Sequence, residues 1–503
     1  MTTWDDARQR GPGAPPRPRR IRGGDEDFTP RRRMPPPKAI KARATQFDDE
    51  AAEPGFLDWD GVFAFAVFTP MLFIAQINTF GAAAVAGLAP LYLFFRRERV
   101  FKTLAPRAFL FLIPALAFFS VIWSEAAGET FRYACEYTIT IVVGLLLSSA
   151  QRPGAVLKGL ACAFLLYVAV SVAMGGTVLI GVGAGGAAFS GLSESKNLLA
   201  DIASTGLIIS AALCLVALQR RSWPWLLVGL LAMALDTYAA VAARSAGALL
   251  GLAMAVMAIV GLTPLVFAGR IVRAWVTSMV GVVLLAVGLS YRWLAAAMIE
   301  MGASIFDKDP TLTGRTYLWY RAADLIREKP FLGRGYYAFW LQGNLDAEGL
   351  WRYFGIDNRG GFTFHNTLVD ILVTLGWAGA VVIIGVGLVG VVALIRRFVT
   401  RPSLSLVFWI AILLYQLART PIETIGIAPF YFSTVLTFGA LGAAFNRSRV
   451  PKPVRTAYPQ IRQLRAWTAE GAQAAWANPR VAPARGALRL LSPEPPPAEA
   501  KTP

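Results

Sequence analysis

The chain has 503 residues, of which 55% are hydrophobic and only 16% charged, and its mean hydropathy is +0.51. A soluble chain of this length carries about 25% charged residues, so a soluble enzyme and a nucleic-acid-binding domain are excluded. The apolar residues fall in blocks of about 20, the length of a transmembrane helix, which excludes a β-barrel. The formal net charge is +18, and the chain holds a single histidine, His365.

Residues 1–56 are rich in Pro, Gly, Arg and acidic residues and lack periodicity, which predicts a disordered basic tail. No cleavable signal peptide is expected, because the first apolar block starts near Phe56. Twelve apolar blocks follow, at 57–80, 82–95, 107–123, 133–150, 155–174, 198–218, 223–242, 246–268, 272–294, 366–395, 403–418 and 425–445. The expectation is an all-α polytopic membrane domain over 57–445 with about twelve spans. A basic, Pro-rich tail, 446–503, ends the chain, and 459–477 has the pattern of a short amphipathic helix. The three cysteines, Cys135, Cys162 and Cys214, sit in apolar blocks, form no CxxC pair and read as small core residues. No metal site and no cofactor are expected.

Lys/Arg bias sets membrane orientation. Every second short loop is basic: Arg96, Arg97, Arg99, Lys102 and Arg107; Arg152 and Lys158; Arg220 and Arg221; Arg270 and Arg273; Arg396, Arg397 and Arg401. Both tails fall on the same side, so both termini are expected in the cytoplasm. The tails would also contact anionic membrane lipids. The exception is the loop 295–365, on the outer side. It is too long for a connector, and its Lys308, Arg315, Arg321, Arg327, Lys329, Arg334, Arg352 and Arg359 are not needed for topology.

Within it, Leu318, Trp319, Ala322, Leu325 and Ile326 recur at helical spacing, which predicts an amphipathic helix on the outer membrane surface, ended by Pro330. Arg315 stands at its start, where backbone N–H groups also favour anions. Gly333-Arg334-Gly335 would let the backbone approach a ligand. His365-Asn366 opens the tenth apolar block, and nearby arginines favour the neutral imidazole suited to a general base. Lys196-Asn197 opens the sixth block, and Arg244 lies between two spans, where an arginine without a task is costly. Arg419 and Glu423 lie at the last outer loop. Asp201, Asp236 and Asp324 are candidate partners for these cations. A cationic outer site beside lipid suits a polyisoprenoid diphosphate, with arginines stabilising the departing diphosphate. His365 would take the proton of an acceptor hydroxyl. The reaction class is glycosyl transfer.

These residues resemble the O-antigen ligase/polymerase superfamily, most closely its exopolysaccharide polymerase branch. The likeness lies in Thr313-Gly314-Arg315-Thr316, Trp319, Gly333-Arg334-Gly335-Tyr336, Phe339-Trp340, His365-Asn366 and Leu375-Gly376-Trp377-Ala378-Gly379, with weaker matches at Lys196-Asn197 and Glu423. Ser195 and Arg334 depart from the pattern, which usually has histidine and an aromatic residue there. The resemblance implies a metal-independent glycosyltransferase of the GT-C type in the bacterial inner membrane, with its active face periplasmic. Its donor would be a glycan on undecaprenyl diphosphate. It implies Arg315 and His365 as catalytic residues. Arg244, Lys196, Arg334, Glu423, Arg419 and Asn366 are the candidate binding residues. Partners would be the lipid-linked glycan and other polysaccharide-assembly proteins, with no nucleic acid. Competing readings are a ligase acting on a lipid A core, a flippase for a lipid-linked saccharide, and a scaffold acting through its basic tails.

Overall fold

The structure, a computed structural model, describes residues 58–150, 152–179, 186–289, 314–357, 359 and 362–446. The expected disordered tail 1–56, the tail after Asn446 with its 459–477 stretch, and Lys308 and Thr313 lie outside the described residues.

Long apolar runs form helices, because a backbone in lipid must satisfy its own polar groups. They run as α1 (Trp59–Leu72), α2 (Thr79–Phe95), α3 (Val100–Ile122), α4 (Ala127–Ser148), α5 (Pro153–Met174), α6 (Lys196–Gln219), α7 (Trp223–Ala242), α8 (Ala246–Leu265) and α9 (Arg270–Leu289). After the loop helices α10 (Arg315–Glu328) and α11 (Leu345–Phe354) come α12 (Thr367–Thr400), α13 (Leu404–Arg419) and α14 (Phe432–Ala443). Seven of these, α3 to α8 and α12, are long and apolar enough to cross a membrane, against the twelve spans expected. The apolar helices α1, α2, α13 and α14 are shorter. Pro70 and Pro90 interrupt the first two, and Pro421 follows α13. The chain is an all-α, multi-pass membrane protein.

The centre of the bundle is α6, the most buried of the seven. It packs against α5, α7, α8 and α13, as a helix apolar on every face must. The Gly-rich segment before it holds an antiparallel hairpin that the sequence reading did not anticipate. Its strands are Gly176–Leu179 and Ala187–Gly191, with Thr177 opposite Phe189.

The amphipathic helix appears where expected, as α10, and its apolar face is covered by protein. Leu318, Ala322 and Leu325 are buried in a cluster with Phe339, Leu350, Trp351 and Phe364. The loop supplies this apolar partner itself, largely through α11, so the face of α10 is spent on protein rather than lipid. Asn344 caps α11 by accepting from Asp346 N and Ala347 N, and Gly355 ends it in the left-handed region.

One break positions the site. Gly376 (φ 62°, ψ −163°) interrupts α12. The freed backbone groups pair with the segment that follows α10: Trp377 N–H donates to Pro330 O (2.9 Å) and Ala378 N–H to Phe331 O (3.0 Å). In return Arg334 N–H donates to Val373 O (3.0 Å) and Gly335 N–H to Thr374 O (2.8 Å). The glycines at 333 and 335 are therefore occupied. A Cβ on Gly333 would overlap the Thr374–Leu375 backbone, and one on Gly335 would overlap Ser124. The close approach they permit is to the protein's own backbone, not to a ligand as the sequence suggested.

Candidate functional site

Two side chains far apart in sequence meet on one carboxylate. Arg315, the first residue of α10, donates from Nη1 to Ile422 O (2.6 Å) and from Nη2 to Glu423 Oε1 (3.1 Å). The other oxygen of Glu423, Oε2, lies 3.2 Å from His365 Nδ1. Gly314 precedes Arg315 at φ 83°, and no side chain caps the helix start. Two of the five guanidinium N–H groups are used in these bonds, which leaves the others for a ligand.

The turn that carries Glu423 is tied at both ends. Ile422 N–H and Glu423 N–H both donate to Arg419 O (2.9 and 2.8 Å). Thr367 Oγ1 donates to Glu423 O (2.8 Å) and accepts from Ile425 N (2.9 Å). Asn366 caps α12 through Leu368 N and Val369 N, and its Nδ2 donates to Pro421 O (3.1 Å). Its role in the structure is thus to join α12 to the last outer loop.

His365 is held in the left-handed region at φ 50°. Such a backbone costs about 1–3 kcal/mol and persists only where its surroundings impose it. Here the Asn366 cap follows directly, and Trp319 Nε1 donates to the preceding carbonyl, Phe364 O (2.8 Å). The Phe362 ring stands edge-on to the imidazole at 5.5 Å. Asp370 accepts from Phe364 N (3.4 Å) and from Thr424 Oγ1, bridging the neighbours of His365 and Glu423. Asp370 was missed in the sequence; a carboxylate in the first turn after His-Asn was the available signal.

Electrostatics favour an ionised Glu423. Burial pushes its carboxyl up, but the His365 hydrogen bond and the charges of His365, Arg315 and Arg419 outweigh this and hold it at about 2. A carboxylate on Nδ1 selects the tautomer with its proton there and the lone pair on Nε2. Nε2 is then the atom able to take a proton.

The other expected residues divide. Lys196 begins α6, capped by Ser195, and its Nζ donates to Arg244 O (3.4 Å). Arg244 is exposed, at φ 48° between α7 and α8. Three residues on, a Cβ at Gly247 would overlap Ile422 Cδ1. The Lys196–Arg244 corner therefore adjoins the turn that holds Arg315. Arg334 does not join this group. It is buried, with Nη1 on Glu125 (2.6 Å) and Nη2 on Glu328, and it fastens the outer loop to the end of α3. Arg419 is buried too. It pairs with Asp201, which also accepts from Tyr415 and Tyr431 (both 3.0 Å). Asp236 meets Ser210 (3.1 Å) rather than a cation, and Asp324 pairs with Arg321 and Arg327 along α10.

Residues 231–384 match the family model described as O-antigen ligase, a stretch that contains Arg244, Arg315, His365 and the Gly376 break. Over 399 residues the chain is 27% identical to the exopolysaccharide production protein ExoQ of Rhizobium meliloti (strain 1021), covering 77% of this chain and 89% of that protein. The two matches support the resemblance to an ExoQ-like O-antigen ligase family, and with it a polysaccharide polymerase or ligase role.

Proposed function

We propose, for a chain similar to the ExoQ-like O-antigen ligase family, that it transfers a glycan from undecaprenyl diphosphate to a sugar hydroxyl at the periplasmic face of the inner membrane. Polymerase is preferred to ligase on the pattern Thr313-Gly314-Arg315-Thr316 to Phe339-Trp340. The observation that carries this reading is the single carboxylate, Glu423, joining Arg315 to the only histidine.

In the proposed step, the acceptor oxygen bonds to the anomeric carbon as His365 Nε2 takes its proton. The bond from that carbon to the diphosphate oxygen breaks, and undecaprenyl diphosphate leaves. Arg315, with Lys196 and Arg244 alongside, would hold the developing negative charge, the role of fixed cations in phosphoryl chemistry. Glu423 holds the imidazole in the productive tautomer and stabilises the imidazolium that forms, as the carboxylate of a hydrolytic triad does. Arg334 and Arg419, buried and held away from His365 by Glu125 and Glu328 and by Asp201, are left outside the donor site.

The flippase reading gains nothing from the broken helix α12. Transporters use such breaks to bind substrate. Here the break is filled by the Pro330–Gly335 segment.

The test is reconstitution in liposomes with radiolabelled lipid-linked repeat, scored by product chain length. His365→Ala should lose about a hundred- to ten-thousand-fold in turnover, the usual contribution of a general base. Arg315→Ala should lose about a hundredfold or more. Wild-type rates in either variant would overturn the site.

A further inference from the structure

A transfer site also needs a place for the sugar that receives the chain. We propose that Tyr133, Glu136 and Tyr337 form a subsite for a neutral acceptor sugar, placed beside His365 by Asp370. This rests on the glycosyl-transfer reading above.

Tyr336 and Tyr337 are neighbours with different commitments. The Tyr336 hydroxyl donates to Ile427 O (2.6 Å), and its ring stacks on Tyr137 at 5.2 Å. The Tyr137 hydroxyl donates to Gly426 O (2.7 Å). Both serve to hold the last outer loop. Tyr337 stands at φ 58°, its ring 5.1 Å from that of Tyr336 and 4.7 Å from that of Tyr133 at 41°. Among the described residues, neither the Tyr337 nor the Tyr133 hydroxyl has a hydrogen-bond partner, and both side chains are half-buried. Glu136 follows Tyr133 by three residues, about one turn along α4, and is also half-buried. Its nearest cation, Arg132 Nε, is 3.9 Å from Oε1.

Continuity with the base comes from two directions. Phe339, two residues after Tyr337, packs on Phe364 at 5.2 Å, next to His365. Asp370 lies within electrostatic reach of Tyr337, as do Tyr133 and Glu136. Asp370 in turn holds Phe364 N and Thr424.

The chemistry fits a pyranose. The C–H face of a sugar ring packs on an aromatic ring, and its hydroxyls bond to phenol and carboxylate oxygens. The charge also discriminates. Lys196, Arg244 and Arg315 are cationic and suit the diphosphate, whereas Glu136 and Asp370 disfavour a second anion. Donor and acceptor are thus told apart by the sign of the group each meets.

The test uses the full-length protein in lipid nanodiscs. The probe is the cells' own glycan repeat, released from its lipid by mild acid and dephosphorylated, with binding read by saturation-transfer NMR. Tyr337→Phe and Glu136→Gln should each weaken binding about tenfold, one hydrogen bond's worth of affinity. In the transfer assay they should raise the acceptor KM while the donor KM and the melting temperature stay at wild-type values. Wild-type binding in both variants, or equal losses for donor and acceptor, would overturn the subsite. The binding arm needs no turnover. An inactive wild type that binds the repeat, and loses it in Glu136→Gln, would refute the transfer reading and leave the sugar site standing.

Discussion

Glu423 faces two partners that make opposite demands on it. Towards Arg315 it is a counter-ion, and towards His365 Nδ1 it is an acceptor. Glu423→Gln keeps an acceptor oxygen and removes the charge, so it separates the two roles. The folded carboxyl sits at about 2, below its ordinary 4.5. A depressed value means that ionisation stabilises the fold, fully above the ordinary value, and that this contribution is lost as pH falls through the window from 4.5 to about 2. The melting temperature of the wild type should therefore exceed that of Glu423→Gln at pH 7, and the gap should close as pH falls through that window. A gap independent of pH would show that the charge is not what matters. Arg315, His365 and Glu423 were each legible in the sequence as members of motifs. Their meeting was not, because Glu423 lies 58 residues from His365 and 108 from Arg315. Arg334 and Arg419 were read as ligands for the same reason. A sequence displays a cation and offers Asp201 as a candidate partner, but it does not display that Arg419 is the cation Asp201 meets, nor that Glu125 is set against Arg334.

At the scale of elements, two motifs prove to be one structure. The Gly333–Gly335 segment and the Leu375–Gly379 stretch are the two sides of the break in α12, and each satisfies the other's backbone. Gly376 is irreplaceable there on two counts. Its φ of 62° with ψ −163° is open essentially to glycine alone, and a Cβ would overlap Phe331 C and O and Leu332 N. Gly376→Ala should destabilise by about 2–6 kcal/mol or displace the loop, since strain and overlap each cost about 1–3 kcal/mol. Gly385→Ala, on the same helix with open space around it, is the control and should be neutral. Thermal melting of the two variants in detergent checks this; equal melting points would remove the argument. The spans were legible because apolar length is a strong signal in lipid. Helix α10 was legible by its periodicity, but its burial partner was not. Helix α11 was missed although Asn344 and Gly355 are ordinary helix start and stop signals. The hairpin before α6 was hidden by glycines, which weaken any strand pattern.

Across the whole molecule, the candidate site and the helix core are coupled through a buried ion pair. Asp201 lies in α6, the central helix, and Arg419 ends α13; their side chains are 1% and 4% exposed. Tyr415 and Tyr431 complete the acceptor bonds of Asp201. The carbonyl of Arg419 then receives Ile422 N and Glu423 N, so the pair anchors the turn that presents Glu423. Removing one member leaves an unpaired charge in a dry interior, which costs about 3–5 kcal/mol, whereas removing both leaves none. Asp201→Ala should thus lower stability by about that amount. Asp201→Ala combined with Arg419→Met should recover most of it, because the methionine keeps volume without charge. Denaturation of the wild type, Asp201→Ala, Arg419→Met and the double variant in mixed micelles gives the double-mutant cycle, and a double variant no more stable than Asp201→Ala would show that the two charges are not coupled. Activity supplies the second reading. Because the anchor to Glu423 is the backbone carbonyl of residue 419 rather than its guanidinium, the stabilised double variant should regain turnover along with its fold. A double variant that folds but remains inactive would instead place the Arg419 charge in the chemistry.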